Sequence, residues 1–262
     1  ELQAQEARDL VTVEYEELPA VLDARAALAA DAPLVHPDLH AYPRGGHEIV
    51  PHSNVNTVAR FCHGDVEEGL RRADVVFEDE LSVQALSHAA LETHVAVAQY
   101  HPVDGGYTLW TSTDRPFQMR GELAAALCLA SSQVRIVVGY VGGSFGGKNT
   151  LVAEAVAVAL ARAVPGRPVR FELTREEDLV ASQVRMPAFI RLTTGVMRDG
   201  TLTARRADFL WDGGAYASNA VGIAIRGPKA VFGPYRIPAV EYESRMVYTN
   251  RQPTGSYRGY GT

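Results

Sequence analysis

Apolar positions along the chain change period several times, and each change predicts an element. Val11-Thr12-Val13-Glu14-Tyr15 alternates with period two and predicts a strand. Asp23 then predicts a helix N-cap before Ala24–Ala30. Residues 31–56 lose any period and hold Pro33, Pro37, Pro43, Gly45, Gly46 and Pro51, the composition of a long irregular linker or lid. This places a boundary near residue 60. Beyond it, Asp65–Arg72 predicts a short helix, and Ala73–Val83 a strand with Val75, Phe77 and Leu81 on alternating positions. Val95–Tyr100 and Tyr107–Ser112 flank Asp104-Gly105-Gly106, a hairpin signal. Leu123, Leu127 and Ala130 share a face of a helix over 116–130. The run Val134–Val141 is almost continuously apolar, as in a strand buried on both faces. Leu151–Val164 predicts a helix apolar enough to lie inside the domain. A strand over 169–173 follows, then a short acidic helix over 175–179 capped by Thr174. Paired strands over 189–197 and 202–211 turn at Arg198-Asp199-Gly200, and a last strand covers 240–248. Strands and helices mix without strict βαβ repetition. The expected class is α+β, with mixed and antiparallel sheets and packed helices.

Charge and composition narrow the function classes. The formal net charge is −6, from 25 basic and 31 acidic residues. That argues against a nucleic-acid or acidic-membrane surface, since both need a basic patch. No apolar run approaches the roughly 20 residues that cross a bilayer, and the charged start Glu1–Glu6 is not a secretory signal. Cys62 and Cys128 are too few to hold an iron–sulfur cluster and form no CxxC pattern. They read as buried reduced thiols in a cytoplasmic protein. His36, His40, His47 and His52 fall in the irregular segment without HExxH spacing, and read as solvated loop histidines. The chain starts without Met and ends at Gly259-Tyr260-Gly261-Thr262 with no closing element, so it reads as a fragment.

The segment Gly142-Gly143-Ser144-Phe145-Gly146-Gly147-Lys148-Asn149 lies between a predicted strand and helix. Glycines free the backbone for positive φ and close approach to a ligand. Amide N–H groups at the helix start then form an anion site suited to a phosphate, a phosphorylated pterin or a metal-bound oxo group. A tight turn without ligand is the plain alternative. A P-loop is another, since Gly142, Gly147 and Lys148 match G-x4-G-K. Against it, Asn149 stands where Ser or Thr would hold Mg²⁺, Phe145 sits at the tip, and Leu210-Trp211-Asp212 is a poor Mg²⁺ partner segment.

Several segments together resemble the xanthine dehydrogenase/aldehyde oxidase family. Val141–Lys148 resembles its GG-x-FGGK loop. His88-Ala89-Ala90-Leu91-Glu92-Thr93 is similar to its LET/MEP segment, and Trp110-Thr111-Ser112-Thr113-Asp114 to its STQ strand end. Pro168–Asp178 resembles its PVR…ED segment, and Gly255-Ser256-Tyr257-Arg258-Gly259-Tyr260-Gly261 its AFRGFG motif. Val11–Leu28 resembles the end of the small α/β domain that precedes the molybdenum part. The matches span nearly the whole chain in the family's order.

The resemblance implies the molybdenum-cofactor-binding fold of the xanthine oxidase type. Residues 1–60 would be the end of the small α/β domain plus linker, and 61–262 the N-terminal part of the cofactor-binding domain. It implies a molybdenum-dependent oxidoreductase that hydroxylates an aldehyde or N-heteroaromatic carbon with oxygen from water. The cofactor would be a molybdenum–pterin, as molybdopterin or its cytosine dinucleotide. An iron–sulfur subunit carrying [2Fe-2S], with or without a FAD subunit, would be the partner in an oligomer of heteromers. Cofactor contacts would fall on Gly143, Ser144, Phe145, Gly146, Arg258 and Thr113, and substrate contacts on Tyr260, Arg226 and Asn149. No protein side chain would ligate the metal. Thr113 replaces the family's glutamine and Asn149 a substrate-binding glutamate of purine hydroxylases, which puts purine specificity in doubt. The family's general-base glutamate would lie beyond Thr262, leaving this piece inactive alone. Neither Glu92, in a structural motif, nor Glu154, on the apolar helix, substitutes for it.

Overall fold

The computed structural model describes residues 2–42 and 46–260; Pro43, Gly45, Gly261 and Thr262 lie outside them. Helix α1 (Leu2–Asp9) buries no residue. Then follow β1 (Val55–His63), α2 (Val66–Arg72), β2 (Val75–Val83), β3 (Val95–His101), β4 (Gly106–Thr111), α3 (Pro116–Ala126), β5 (Val134–Val138), α4 (Ala153–Ala163) and β6 (Pro168–Glu172). Next come α5 (Arg175–Ala181), β7 (Val184–Arg185), β8 (Ala188–Val196), β9 (Leu202–Asp212), α6 (Ala220–Arg226), β10 (Ala239–Val247) and β11 (Thr254–Gly255). The class is α+β, as expected.

A four-stranded sheet in the order β5-β4-β3-β6 carries α3 and α4. Its core joins Ala96, Ala98, Tyr107 and Leu109 of the strands to Met119 and Leu123 of α3 and Ala157, Val158 and Ala161 of α4. The alanines let α4 lie close to the sheet, which fixes where its preceding loop emerges. A five-stranded sheet has the order β1-β10-β9-β8-β2, antiparallel except for β10 with β9. On one face α6 packs on Phe209, Trp211, Tyr242 and Met246. The other face is partly covered by Val21, Ala24 and Ala27 on Val58, Leu210 and Val247. The rest of that face carries cross-strand ion pairs in register, Arg60–Glu243 and Arg191–Glu80. A short parallel ladder of β7 with β11 joins the region of α5 to the end of the chain. Asp65 caps α2 by accepting from the Glu68 amide, and Thr174 and Glu177 cap α5 reciprocally.

Several expectations are corrected. Val11–Tyr15 is not a strand: Val11, Val13 and Tyr15 are exposed, and no neighbouring strand pairs with their backbone. Alternation alone cannot satisfy a ladder's N–H and C=O groups. Ala24–Ala30 contracts to a single 3₁₀ turn at Ala26–Leu28, although Asp23 does accept from the Arg25 and Ala26 amides. α3 stops at Ala126 because Cys128 turns to φ +55°. β5 is an edge strand that ends at Val138, not a doubly buried one. α4 buries one face and exposes Val156, Leu160 and Val164 on the other. Both cysteines are exposed. His36 is no solvated loop residue: its Nε2 lies 2.7 Å from the Ala215 carbonyl, and its ring packs edge-on against Tyr248. No helix among the described residues is long and apolar enough to cross a membrane.

Candidate functional site: a loop of free amide donors

Between β5 and α4 the chain takes an irregular path in which Gly143, Phe145 and Gly146 have φ of +105°, +53° and +98°. A phenylalanine in this region costs about 1–3 kcal/mol and persists only where its surroundings enforce it. The enforcement is visible in the carbonyls. Gly142 O accepts from the Glu92 amide, Ser144 O from the Gly147 amide, and Phe145 O from the Arg258 amide. Gly146 O accepts from Gln183 Nε2, Gly147 O faces His94 Nε2, and Lys148 O accepts from Thr113 Oγ1. In a planar trans peptide, a carbonyl and the next residue's N–H point in opposite directions. Holding the carbonyls of residues 142, 144 and 145 inward therefore aims the N–H groups of Gly143, Phe145 and Gly146 outward. Those amides, and that of Ser144, have no partner among the described residues. The loop is a set of fixed donors with its carbonyls from Ser144 to Lys148 spent, which is the chemistry of an anion or oxo site.

The second wall is the turn after β11. Arg258 N donates to Phe145 O at 2.9 Å, so the two turns are in direct contact. A Cβ on Gly146 would meet the Ser256 carbonyl at 2.6 Å. Ser256 is itself gripped by Asn219, which donates from Nδ2 to its Oγ and accepts its amide at Oδ1. His88 donates from Nε2 to the Ser256 carbonyl at 2.7 Å, and its ring stands against Gly147 and Tyr257. Burial pushes the His88 pKa below its ordinary 6.5, and the carbonyls of Ser256 and Gln183 only partly oppose this. Burial therefore disfavours the charged ring in the fold. Because the unfolded chain takes up this proton first, stability is full above about pH 6.5 and falls as pH drops from there toward the folded pKa. Denaturation midpoints measured across that window are expected to fall with acid, and less so in His88→Gln.

Beneath the loop lie two tightly paired groups. Lys148 Nζ, 2% exposed at the side chain, is 2.6 Å from Glu92 Oε2. The same oxygen accepts from Ser112 Oγ and the Gly142 amide. Burial raises the Glu92 pKa, but the bonds from Lys148, Ser112 and Gly142 together hold it below the usual value. At the other end His94 is paired with Asp178 of α5. One segment, His88–His94, thus grips the loop at Gly142, Gly147 and Lys148 and grips the opposing turn at Ser256.

The expected site residues divide. Gly143, Ser144, Phe145, Gly146 and Arg258 come together as the donor wall. Ser144 Oγ itself donates to Asp114. Thr113 is buried, with its hydroxyl donating to Lys148 O and accepting from the Arg115 amide, so it supports the loop from behind. Asn149 is also buried and accepts from Gln183 Nε2. Arg226 is exposed at the end of α6. Tyr260 lines a cavity of about 390 Å³ with Arg185, Tyr257 and Arg258 at one side and an apolar floor including Ile190, Phe209 and Trp211. Ile223 and Gly227, on either side of Arg226, line the same cavity. Glu92 and Glu154 are both committed, Glu154 to Thr111 Oγ1 and the Val152 amide. The P-loop reading fails physically: Lys148 is sealed under the loop against Glu92 and cannot reach a phosphate above it. Sequence reasoning missed Gln183, Asn219, His94 and Asp178. Only the Thr174 cap, which predicts the helix carrying Asp178, and the PVR…ED resemblance, which ends on Asp178, hinted at any of them.

Comparison with known proteins gives a consistent picture. The profile of the molybdopterin cofactor-binding domain matches residues 47–262. The chain is 34% identical over 257 residues to the nicotinate dehydrogenase large molybdopterin subunit of Eubacterium barkeri, covering 98% of this chain and 57% of that protein. It is 33% identical over 261 residues to a putative xanthine dehydrogenase molybdenum-binding subunit of Escherichia coli, covering 100% of this chain and 33% of the relative. Among solved structures, the aldehyde oxidoreductase from Desulfovibrio gigas superposes with a TM-score of 0.88 at 29% identity, over 99% of this chain and 27% of that one. The CO dehydrogenase from Oligotropha carboxidovorans gives 0.85 at 26% identity, over 97% and 32%. The chain therefore spans about half of the first relative and about a third or less of the others.

Proposed function

Since this chain belongs to the molybdopterin cofactor-binding domain family, we propose that it is part of the catalytic subunit of a molybdenum hydroxylase acting on an aldehyde or N-heteroaromatic carbon. The observation that carries the proposal is the row of unpartnered amides from Gly143 to Gly146, with every carbonyl from Ser144 to Lys148 spent inside the protein. Such donors fit oxygen ligands or a phosphate of a molybdenum–pterin, in either its simple or its cytosine dinucleotide form. When bound, that group supplies the redox chemistry and the route for water-derived oxygen.

The chain's residues supply orientation and electrostatics. The Phe145 and Gly146 amides would hold an anionic or oxygen group of the cofactor, or charge developing on substrate, at no cost of reorganisation. The Arg258 amide locks Phe145, while the exposed Arg258 guanidinium adds positive potential beside an anionic centre. Tyr260 and the apolar cavity receive a flat substrate and exclude water from it. Arg226, exposed at the end of α6 between the cavity-lining Ile223 and Gly227, would orient a polar substituent. Asn149 and Thr113 are reassigned from ligand contacts to support of the loop. Glu92 and Glu154 are bonded within the protein and do not serve as a base at the donor wall. Electrons would leave through an iron–sulfur partner carrying [2Fe-2S], with or without a FAD partner, in a cytoplasmic assembly.

The test is expression of the full-length protein with analysis for molybdenum and pterin. Turnover of aldehydes and N-heteroaromatics is then followed in H₂¹⁸O with an artificial electron acceptor. Bound molybdenum–pterin and ¹⁸O in the product are expected. A protein that binds Mg-ATP and no pterin, with binding lost in Lys148→Ala, contradicts the proposal.

A further inference from the structure

The buried histidine under the loop makes contacts that a neutral ring cannot satisfy. His94 is 5% exposed. Its Nδ1 lies 2.5 Å from Asp178 Oδ1 and its Nε2 lies 3.1 Å from the Gly147 carbonyl oxygen. A peptide carbonyl only accepts. Asp178 also behaves as an acceptor throughout: Oδ1 takes the His94 amide at 3.1 Å and Oδ2 takes Arg175 Nη1 at 3.3 Å. A neutral imidazole has one N–H and one lone pair. It would face one of these two acceptors with a lone pair, in a place where water cannot compensate.

We infer that His94 is held doubly protonated between Asp178 and Gly147, and that it is a positioning residue for the donor loop. Its two N–H groups tie the far end of the loop to α5. The charged groups bonded in this cluster are Asp178 and Arg175 of α5, and the His88 ring, whose charge burial disfavours, lies on the adjoining segment. Arg175 in turn donates to the carbonyls of Ala90 and Leu91, so the same cluster holds the segment carrying Glu92. His94, Arg175 and Asp178 together leave one net positive charge beneath amides already aimed at an anion. The near end of the loop has no such surplus, since Lys148 and Glu92 cancel. The inference therefore gives the loop a cationic floor on the Gly147 side as well as a mechanical anchor. Sequence position alone does not suggest this, because His94 and Asp178 are 84 residues apart.

The positional claim rests on the cofactor reading above, and the experiment separates the two. Neutron crystallography of the full-length, cofactor-loaded protein at neutral pH reads the protons directly. Deuterium on both His94 nitrogens is expected; deuterium on one alone overturns the protonation claim. Hydrogen–deuterium exchange at Gly147 and Lys148, whose amides donate to Ser144, and the molybdenum(V) EPR signal are then compared in His94→Gln and Asp178→Asn. About tenfold faster exchange of the loop is expected, with a displaced EPR signal. Unchanged exchange and EPR in a folded variant overturn the positioning role. Asp178→Asn keeps an acceptor but removes the charge, so it remains informative should His94→Gln fail to fold. A full-length protein that never holds molybdenum overturns the cofactor reading instead, and leaves the proton count and the exchange comparison still measurable.

Discussion

A Gly146→Ala protein is expected to fold but to lose at least about tenfold in molybdenum and pterin content. The loop and the Arg258 turn meet at this glycine. Gly146 has φ +98°, beyond the left-handed region that L residues tolerate, which alone costs on the order of 1–3 kcal/mol. An added Cβ would also meet the Ser256 carbonyl at 2.6 Å. That neighbour is backbone, and Asn219 and His88 hold it in place, so it has little freedom to retreat. Relief requires the two turns to part, which breaks the bond from Arg258 N to Phe145 O and frees the Gly146 peptide to rotate. The donors then lose their aim. Each 1.4 kcal/mol of lost complementarity is a tenfold loss of affinity. Metal and pterin analysis beside a denaturation curve distinguishes this from simple unfolding. Full retention of the cofactor would show that the contact between the turns is not what holds it.

The second large effect is expected at Glu92. Glu92→Gln leaves the Lys148 ammonium buried without a counter-charge. Breaking a buried pair costs about 3–5 kcal/mol, and the low end, about 3 kcal/mol, applies because a third of the Glu92 side chain reaches solvent. Removing the other partner is milder: in Lys148→Met the carboxylate can turn toward water. Urea midpoints for the two variants should therefore differ, with Glu92→Gln the less stable. A nucleotide-binding loop predicts a different asymmetry, in which the lysine is essential and Glu92 incidental. Acid should act through the same carboxylate. Its pKa is held low in the fold, so its contribution is complete above the unfolded carboxylate pKa and is lost as pH falls through the folded value. Glu92→Gln should remove that part of the acid sensitivity.

Much of the fold is legible from period and punctuation. The hairpin around Asp104-Gly105-Gly106, the Asp65 and Thr174 caps and the paired strands β8 and β9 all follow from local rules, because each is decided by a few neighbouring residues. The failures share a different cause. Val11–Tyr15 has a strand's alternation but no partner, and β5 has a buried strand's composition but an edge position. Both depend on which elements meet, which a local window does not contain. The candidate site divides in the same way. The glycine-rich loop and the Arg258 turn stand out as motifs, since positive φ and close approach demand unusual residues. Gln183, Asn219 and Asp178 are ordinary polar residues in sequence and matter only through long-range contacts to Gly146, Ser256 and His94. Asn149 and Thr113 show the converse. Their place in a motif suggests ligand contact, yet burial turns both side chains toward the protein.

The proposed function rests on where the Phe145 and Gly146 amides point once the cofactor is in place. A crystal structure of the full-length, loaded protein measures this directly. The expected result is an oxygen ligand of the molybdenum or its pterin within about 2.7–3.2 Å of one of those nitrogens, with Arg258 N still bonded to Phe145 O. A cofactor seated elsewhere, with the amides of residues 143–146 facing only solvent, would contradict it.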